Sequence, residues 1–384
     1  MAFDLVLTGA RVLDPAQDID TITDLAFAGG KVAAIGDGLA ARAASVRDCR
    51  GAIVTPGLID LHTHVYAGGT SISVEPEPLT TTGGLTTLVD AGSAGPGNFA
   101  GFRKHVIEPA PVRILAYLNI SFAGIYAFSK RVMVGESGDQ RLLAPWDTVD
   151  VARANRDVLA GIKVRVGHIA SGTLGMTPLN VARQVADELD MPMMVHIDYP
   201  PPTLEEVLAR LRPGDILTHC FRPFPNSPVV GERIRPEVIE ARERGILFDI
   251  GHGMGSFSFA VARTMLAGGF MPDTISSDVH ALCIDGPAFD LITTMSKFLC
   301  LGVPLGAVVK AATSNAAAAL QRPDLGSLKP GSAGDASILA LEPGAHDYVD
   351  STGAILVGEE KIVAKGVVIG GKLWEFDGKE GERS

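Results

Sequence analysis

Residues 56–64 read Pro-Gly-Leu-Ile-Asp-Leu-His-Thr-His, a short apolar run that ends in two imidazoles two positions apart. Residues i and i+2 of a strand share a face, so His62 and His64 can converge on one cation. The sequence downstream shows what this strand belongs to. β-rich runs at 53–61, 86–90, 112–119, 160–166, 192–197, 216–219, 246–250 and 274–278 alternate with helical stretches. The clearest of these stretches are 178–188, 203–211 and 236–244, and further ones at 257–266 and 305–320 follow the last two β runs. Strands alternating with helices in this number predict an α/β fold, a (β/α)8 TIM barrel over residues 55–323. Residues 120–150 form a long connection after the third run, the kind of insertion that covers a barrel mouth.

Both ends of the chain differ from the middle. Residues 3–12 and 24–35 are β-rich, with a Gly29-Gly30 turn signal. Residues 336–341, 354–357, 361–364 and 367–369 read as short strands before Gly370-Gly371. The matching composition predicts one small β-sandwich built from residues 1–54 and 324–384.

Composition sets limits on function. Hydrophobic residues make up 46% of 384, enough for a large core, and 44 glycines suit many tight turns. The net charge of −11 argues against a nucleic-acid partner. Cys49, Cys220, Cys283 and Cys300 form no C-x-x-C pair and no disulfide framework, so they read as reduced thiols. Asp4 and the lack of a basic segment argue against a secretory signal. No apolar run reaches the ~18 residues that a membrane span needs. The expectation is a cytoplasmic protein without membrane contact.

Barrel active sites lie at the C-terminal ends of the strands. Lys163 lies on the fourth run, His196 ends the fifth, His219 the sixth and Asp278 the eighth. Each alone has a bland reading: a structural histidine, an ion-paired lysine, a helix cap. Together with His62 and His64 they fall at strand ends in the order that a barrel site uses, and such a set can surround one or two divalent ions.

These residues carry a resemblance. Residues 56–64 resemble the signature of the amidohydrolase superfamily, and Lys163, His196, His219 and Asp278 match its binuclear pattern in order. The segments ATSNA (312–316) and GSLKPGSAGDASIL (326–339) resemble the passage from barrel to β domain, with Asn315-Ala316 where Asn-Pro is usual. GIKVRVG (161–167), MVHIDYPPP (194–202), GDILTHCF (214–221), FDIGHGMGSFSF (248–259) and PDTISSDVHA (272–281) resemble the deacetylase, dihydroorotase-like branch.

The resemblance implies two divalent ions; zinc suits the ligand types best, and iron, manganese or cobalt would fit the same set. His62, His64 and Asp278 would hold one and His196 and His219 the other. Lys163, carboxylated to N6-carboxylysine, would bridge them together with a hydroxide. Asp278 would also be the catalytic proton carrier. The implied reaction is hydrolysis of the amide or ester of a small acylated acid, an N-acetyl amino acid or an O-acetyl α-hydroxy acid. Cyclic amide hydrolysis, of the dihydroorotase or hydantoinase type, is the alternative enzyme reading. A metal-free scaffold is the alternative outside enzymes.

For the substrate, which the reading makes anionic, Arg165 shares the face of Lys163 and suits a carboxylate. His252 lies between two glycines after the seventh run, and Tyr199 and His280 sit on loops beside ligands. His168 could support the ligands, whereas His105 and His346 lie away from strand ends. A homo-oligomer is expected from the exposed edges of such barrels.

Overall fold

The two ends of the chain meet in one sheet. The structure is a computed structural model that describes residues 2–375; residues 376–384 of the expected terminal domain lie outside them. The first strands are Phe3–Asp14 (β1), Ile19–Ala28 (β2), Lys31–Gly36 (β3), Ala43–Asp48 (β4) and Ile53–Pro56 (β5). Then come Leu58–Thr63 (β6), Leu85–Ala91 (β7), Arg113–Asn119 (β8), Leu159–Val166 (β9), Met193–Ile197 (β10) and Ile216–Leu217 (β11). A small hairpin, Val229–Val230 (β12) with Arg233–Ile234 (β13), precedes Leu247–Phe248 (β14). Ala336–Val349 (β15), Ile355–Ile369 (β16) and Lys372–Glu375 (β17) complete the set.

The terminal sheet runs β17-β16-β15-β5-β1-β2-β3, with β4 beside β1. β5 joins the two ends, pairing Arg11 with Ile53 on one side and Ala336 with Pro56 on the other. The run expected as one strand over 53–61 is therefore two. Its first half belongs to the terminal sheet and its second half opens the parallel one. The short C-terminal strands also merge, into β15 and β16. Pro343 and Gly344 are absorbed as an irregularity between Pro343 and His346 in the β15–β16 pairing.

The central sheet is parallel and curled, in the order β14-β11-β10-β9-β8-β7-β6. Its strands are buried on both faces, as the near-continuous apolar runs foretell. Along β9, Ile162, Val164 and Val166 pack outward in the cluster shared with the helices. The alternate positions carry Lys163 and Arg165 inward, both nearly fully buried. On the inner side, Ile59, Leu61, Val89, Leu115, Tyr117 and Met194 pack with Ala316 and Ala317 of the Ser314–Ala319 helix and with Leu320 that caps it. Small side chains let that helix approach closely and fill the space near the strand starts.

The eighth expected strand, 274–278, has no regular ladder. It makes single parallel bridges, Thr274 with Asp249 and Val279 with Thr63. The Asp278 N–H donates to the His62 carbonyl at 2.7 Å, and the His64 N–H to the Val279 carbonyl at 3.0 Å. Side chains replace the rest of the ladder: Thr274 and Ser276 donate to Asp249, and Ser277 to Asp60. The segment is thus bonded to both edges of the curled sheet.

The helices Thr177–Leu189 and Pro236–Glu243 fall where expected, and Leu204–Leu208 starts on a capping box from Thr203 and Glu206. The expected helix over 305–320 breaks into Leu305–Ala311 and Ser314–Ala319, because the Ala312 carbonyl is diverted to the Ile59 N–H. Pro145–Ala154 is helical although it falls partly within the expected loop. Leu291–Cys300 was not legible as a helix: Ile292-Thr293-Thr294 is β-branched and weakens the local signal. No helix among the described residues is long and apolar enough to cross a membrane. None of the four cysteines is in a disulfide.

Candidate metal centre and the loops above it

Three expected ligands converge. His62 Nε2 and His64 Nε2 lie 3.2 and 3.3 Å from Asp278 Oδ1, and the three groups are close enough to share one ion. Lys163 Nζ is 3.5 Å from His62 Nε2. His196 Nδ1 and His219 Nε2 face each other at 2.7 Å, with the His62 ring 5.2 Å from that of His219. Five side chains from separate strand ends, with the second histidine of β6, thus line one buried volume.

Hydrogen bonds fix which nitrogen is bare. Thr218 Oγ1 donates to Asp249 at 2.8 Å, so it can only accept from His62 Nδ1, 2.9 Å away. That leaves a lone pair on His62 Nε2. His219 Nδ1 faces the Gly251 carbonyl at 2.6 Å and must carry the proton, which bares its Nε2. His64 Nδ1 meets Ser93 Oγ at 2.9 Å, while Asp90 accepts from the N–H groups of Ser93 and Val65 and ties down that loop. Such partners orient imidazoles toward a metal.

The backbone is bent to serve the site. His219 and Asp278 have φ of 65° and 48°, a left-handed conformation that costs a non-glycine residue about 1–3 kcal/mol. Gly92 lets β7 pass close to Lys163, since a Cβ there would lie 2.6 Å from Lys163 Cγ. A Cβ on Gly251 would lie 2.2 Å from Thr218 Oγ1, and one on Gly253 2.3 Å from Asp278 Oδ2. The glycines that flank His252 therefore serve close packing on the ligands.

Burial dominates the electrostatics. It holds His62, His196 and His219 well below the ordinary histidine value and His64 at about 3, so all four rings are neutral. Burial lowers Lys163 to about 8 and lifts Asp278 to about 6. It also lifts Asp60 to about 7, against the pull of its bonds from Ser277. The bare His62 Nε2 thus faces a carboxylate oxygen at 3.2 Å, with His64 Nε2 3.3 Å from the same oxygen. Acceptors that face each other so closely need a proton or a cation between them, and an imidazole–carboxylate set suits a divalent ion.

The expected substrate contacts are placed less uniformly. Arg165 lies beside His196 in the sheet, pairs with Glu136 at 3.3 Å and is covered by the Phe128 ring at 5.2 Å. His280 is buried between His64 and Phe128, with ring centroids at 6.1 and 5.7 Å, and burial lowers it to about 4. Tyr199 is half exposed after β10. His252 turns away: its Nδ1 bonds the Gly253 carbonyl, its Nε2 meets Lys297 Nζ at 2.7 Å, and its ring stacks on Phe257. With both nitrogens engaged, a substrate contact from His252 would require its release from Lys297. His168 and His105 are exposed and His346 is half-buried.

Sequence reasoning missed Thr218, Ser93, Asp249, Glu136 and Lys297. Thr218 and Asp249 sit at strand ends and were open to the same strand-end logic, whereas nothing local marks Glu136 or Lys297. It also missed Arg222, buried near His196, whose guanidinium contacts the Ile197 carbonyl.

Known proteins resemble this chain in sequence and fold. The amidohydrolase family model matches residues 234–374. A deacetylase of Agrobacterium fabrum is 39% identical over 87% of this chain and 82% of its own length. A deacetylase of Brucella anthropi is also 39% identical, over 91% of this chain and 88% of its own. Among solved structures, one described as a dihydroorotase superposes with a TM-score of 0.89 at 36% identity, covering 97% of this chain and 98% of that one. An adenine deaminase superposes with a TM-score of 0.90 at 29% identity, covering 97% and 100%.

Proposed function

Because this chain belongs to the amidohydrolase family and is a hydrolase, we propose that it is a metal-dependent deacylase of small acylated acids. The observation that carries this reading is the bare His62 Nε2 turned, beside His64 Nε2, on the Asp278 carboxylate. In the finer reading, the curled sheet and segment 274–279 form a (β/α)8 barrel, residues 55–323, and the terminal sheet folds as a β-sandwich from residues 1–54 and 324–384.

His62, His64 and Asp278 would hold one ion and His196 and His219 a second, with Lys163 between them as its carbamate. The buried Lys163 amine, lowered to about 8, reaches the neutral form that carbamate formation requires. We take the metal to be zinc. Divalent ions would supply Lewis acidity that polarises the acyl carbonyl and provide the nucleophile at neutral pH.

The chain's own residues do the rest. Thr218 and Asp249 fix His62, the Gly251 carbonyl fixes His219, and Ser93 fixes His64. Asp278 Oδ1 faces His62 and His64, and Asp278 would take the proton of the attacking water and return it to the leaving group. Arg165 would face the substrate carboxylate, His280 the acyl group and Tyr199 the entrance. His252 would act through the loop that it anchors. The Phe128 side of the 120–143 segment would exclude water.

Metal analysis of the purified protein, with a screen of N-acyl and O-acyl acids of both chiralities, tests the proposal. At least one divalent ion per chain and turnover of an acylated acid are expected. Less than one ion per chain, with no hydrolysis after metal addition, would refute it. The structural likeness to a dihydroorotase supports cyclic amide hydrolysis as a second reading. Yet the dihydroorotase of Geobacter sulfurreducens is 48% identical over only 17% of this chain. Including dihydroorotate and a hydantoin in the screen separates the two readings.

A further inference from the structure

We propose that Glu136 sets the charge preference of the site by competing with an anionic substrate for Arg165; this rests on the reading that Arg165 receives the substrate carboxylate. Glu136 comes from the 120–143 segment, which leaves β8 and returns to the Pro145–Ala154 helix. Its carboxylate is completely buried. One oxygen accepts from Asn119 Nδ2 at 3.4 Å and the other from Arg165 at 3.3 Å. Charge-assisted bonds are normally ~2.7–2.9 Å, so this buried carboxylate is only loosely satisfied. Glu136 is the one carboxylate within ion-pair distance of Arg165 among the described residues.

The pair borders the metal cluster. The Phe128 ring covers the Arg165 guanidinium and meets His280, which meets His64. In the sheet, Arg165 lies beside His196. Glu136 engages a single nitrogen of the guanidinium, and a planar guanidinium has a further edge for a second carboxylate. An incoming acid would then share one cation with a fixed internal anion in a poorly screened space. Like charges so placed repel. A neutral substrate would meet no such opposition. Glu136 therefore weakens binding of acids selectively, by opposing a second carboxylate on the same guanidinium.

Glu136→Gln keeps the shape and removes the charge. The test measures acetate release from an acylated acid that the enzyme turns over and from its carboxamide, and the Kd of the product acid by calorimetry. The expected result in E136Q is a KM for the acid, and a Kd for its product, lower by about tenfold, with the carboxamide KM unchanged. An unchanged acid-to-carboxamide ratio, or a higher KM for the acid, overturns the proposal. Arg165→Met separates the two readings. If R165M leaves the ratio at the wild-type value, the Arg165 reading fails. If R165M weakens only acid binding while E136Q brings no gain, the Glu136 proposal alone fails. Should E136Q not fold, Glu136→Asp withdraws the charge by one methylene; a smaller gain for the acid is expected, and no gain overturns the proposal.

Discussion

Lys297 Nζ donates to the Pro287 carbonyl at 2.6 Å and lies 2.7 Å from His252 Nε2. A fully buried amine thus clamps the loop whose Gly251 carbonyl fixes His219 and whose Gly253 packs on Asp278. Lys297→Met leaves two buried acceptors without a donor, and a loss of about 2–4 kcal/mol in stability is expected. Chemical denaturation of both proteins at pH 8 measures it. No loss would show that the clamp contributes nothing.

The same amine gives a pH dependence. Burial lowers Lys297 from 10.5 to about 7, so between these values the unfolded chain binds more protons than the folded one. Its contribution is fully present above pH 10.5 and is lost as pH falls toward 7. Wild-type stability should therefore rise from pH 7 to 10 by as much as ~1.4 kcal/mol per unit from this group. Denaturation series at several pH values should show that component missing in K297M.

Thr218 is the relay between Asp249 and His62. Thr218→Val keeps the shape and removes both bonds, freeing the His62 ring. Metal affinity should fall by about 10–100-fold, as measured by competition with a chelator. An unchanged affinity would mean that the relay does not orient the ligand.

Lys163→Ala removes the amine that lies 3.5 Å from His62 Nε2 and that the proposed carbamate would be built on. Activity should be lost, and acetate or another short-chain acid should restore part of it by standing in for the carbamate. Full activity without added acid would exclude a bridging role.

Asp278→Asn keeps an oxygen near His62 and His64 but cannot carry a proton as the carboxylate does. Metal content should stay near the wild-type value while kcat falls by about 10²-fold or more. Parallel metal analysis and kinetics check this, and a kcat near wild type would remove Asp278 from proton transfer.

Much of the architecture was legible in local pattern. β6, β8, β9 and β10 appear as continuous apolar runs because both faces of a parallel sheet are buried. The errors fall where tertiary bonds override local signals. β5 splits from β6 because its edges are claimed by β1 and β15. The segment at 274–278 loses its ladder to Asp249 and Asp60. The Leu291–Cys300 helix forms because its buried face packs against the core, despite β-branched residues that weaken its propensity.

The sequence by itself marked the candidate ligands. A strand has period two and a barrel presents strand ends together, so position, together with the family resemblance, singles out His62, His64, Lys163, His196, His219 and Asp278 as candidates. The tertiary structure decided how those groups are held and what opposes the substrate. Thr218 with Asp249, Lys297 with His252, and Glu136 with Arg165 are pairs separated by 31, 45 and 29 residues. Such contacts leave no periodic trace in the chain, because burial brings them together and their partners are chosen by the need to satisfy buried polar groups.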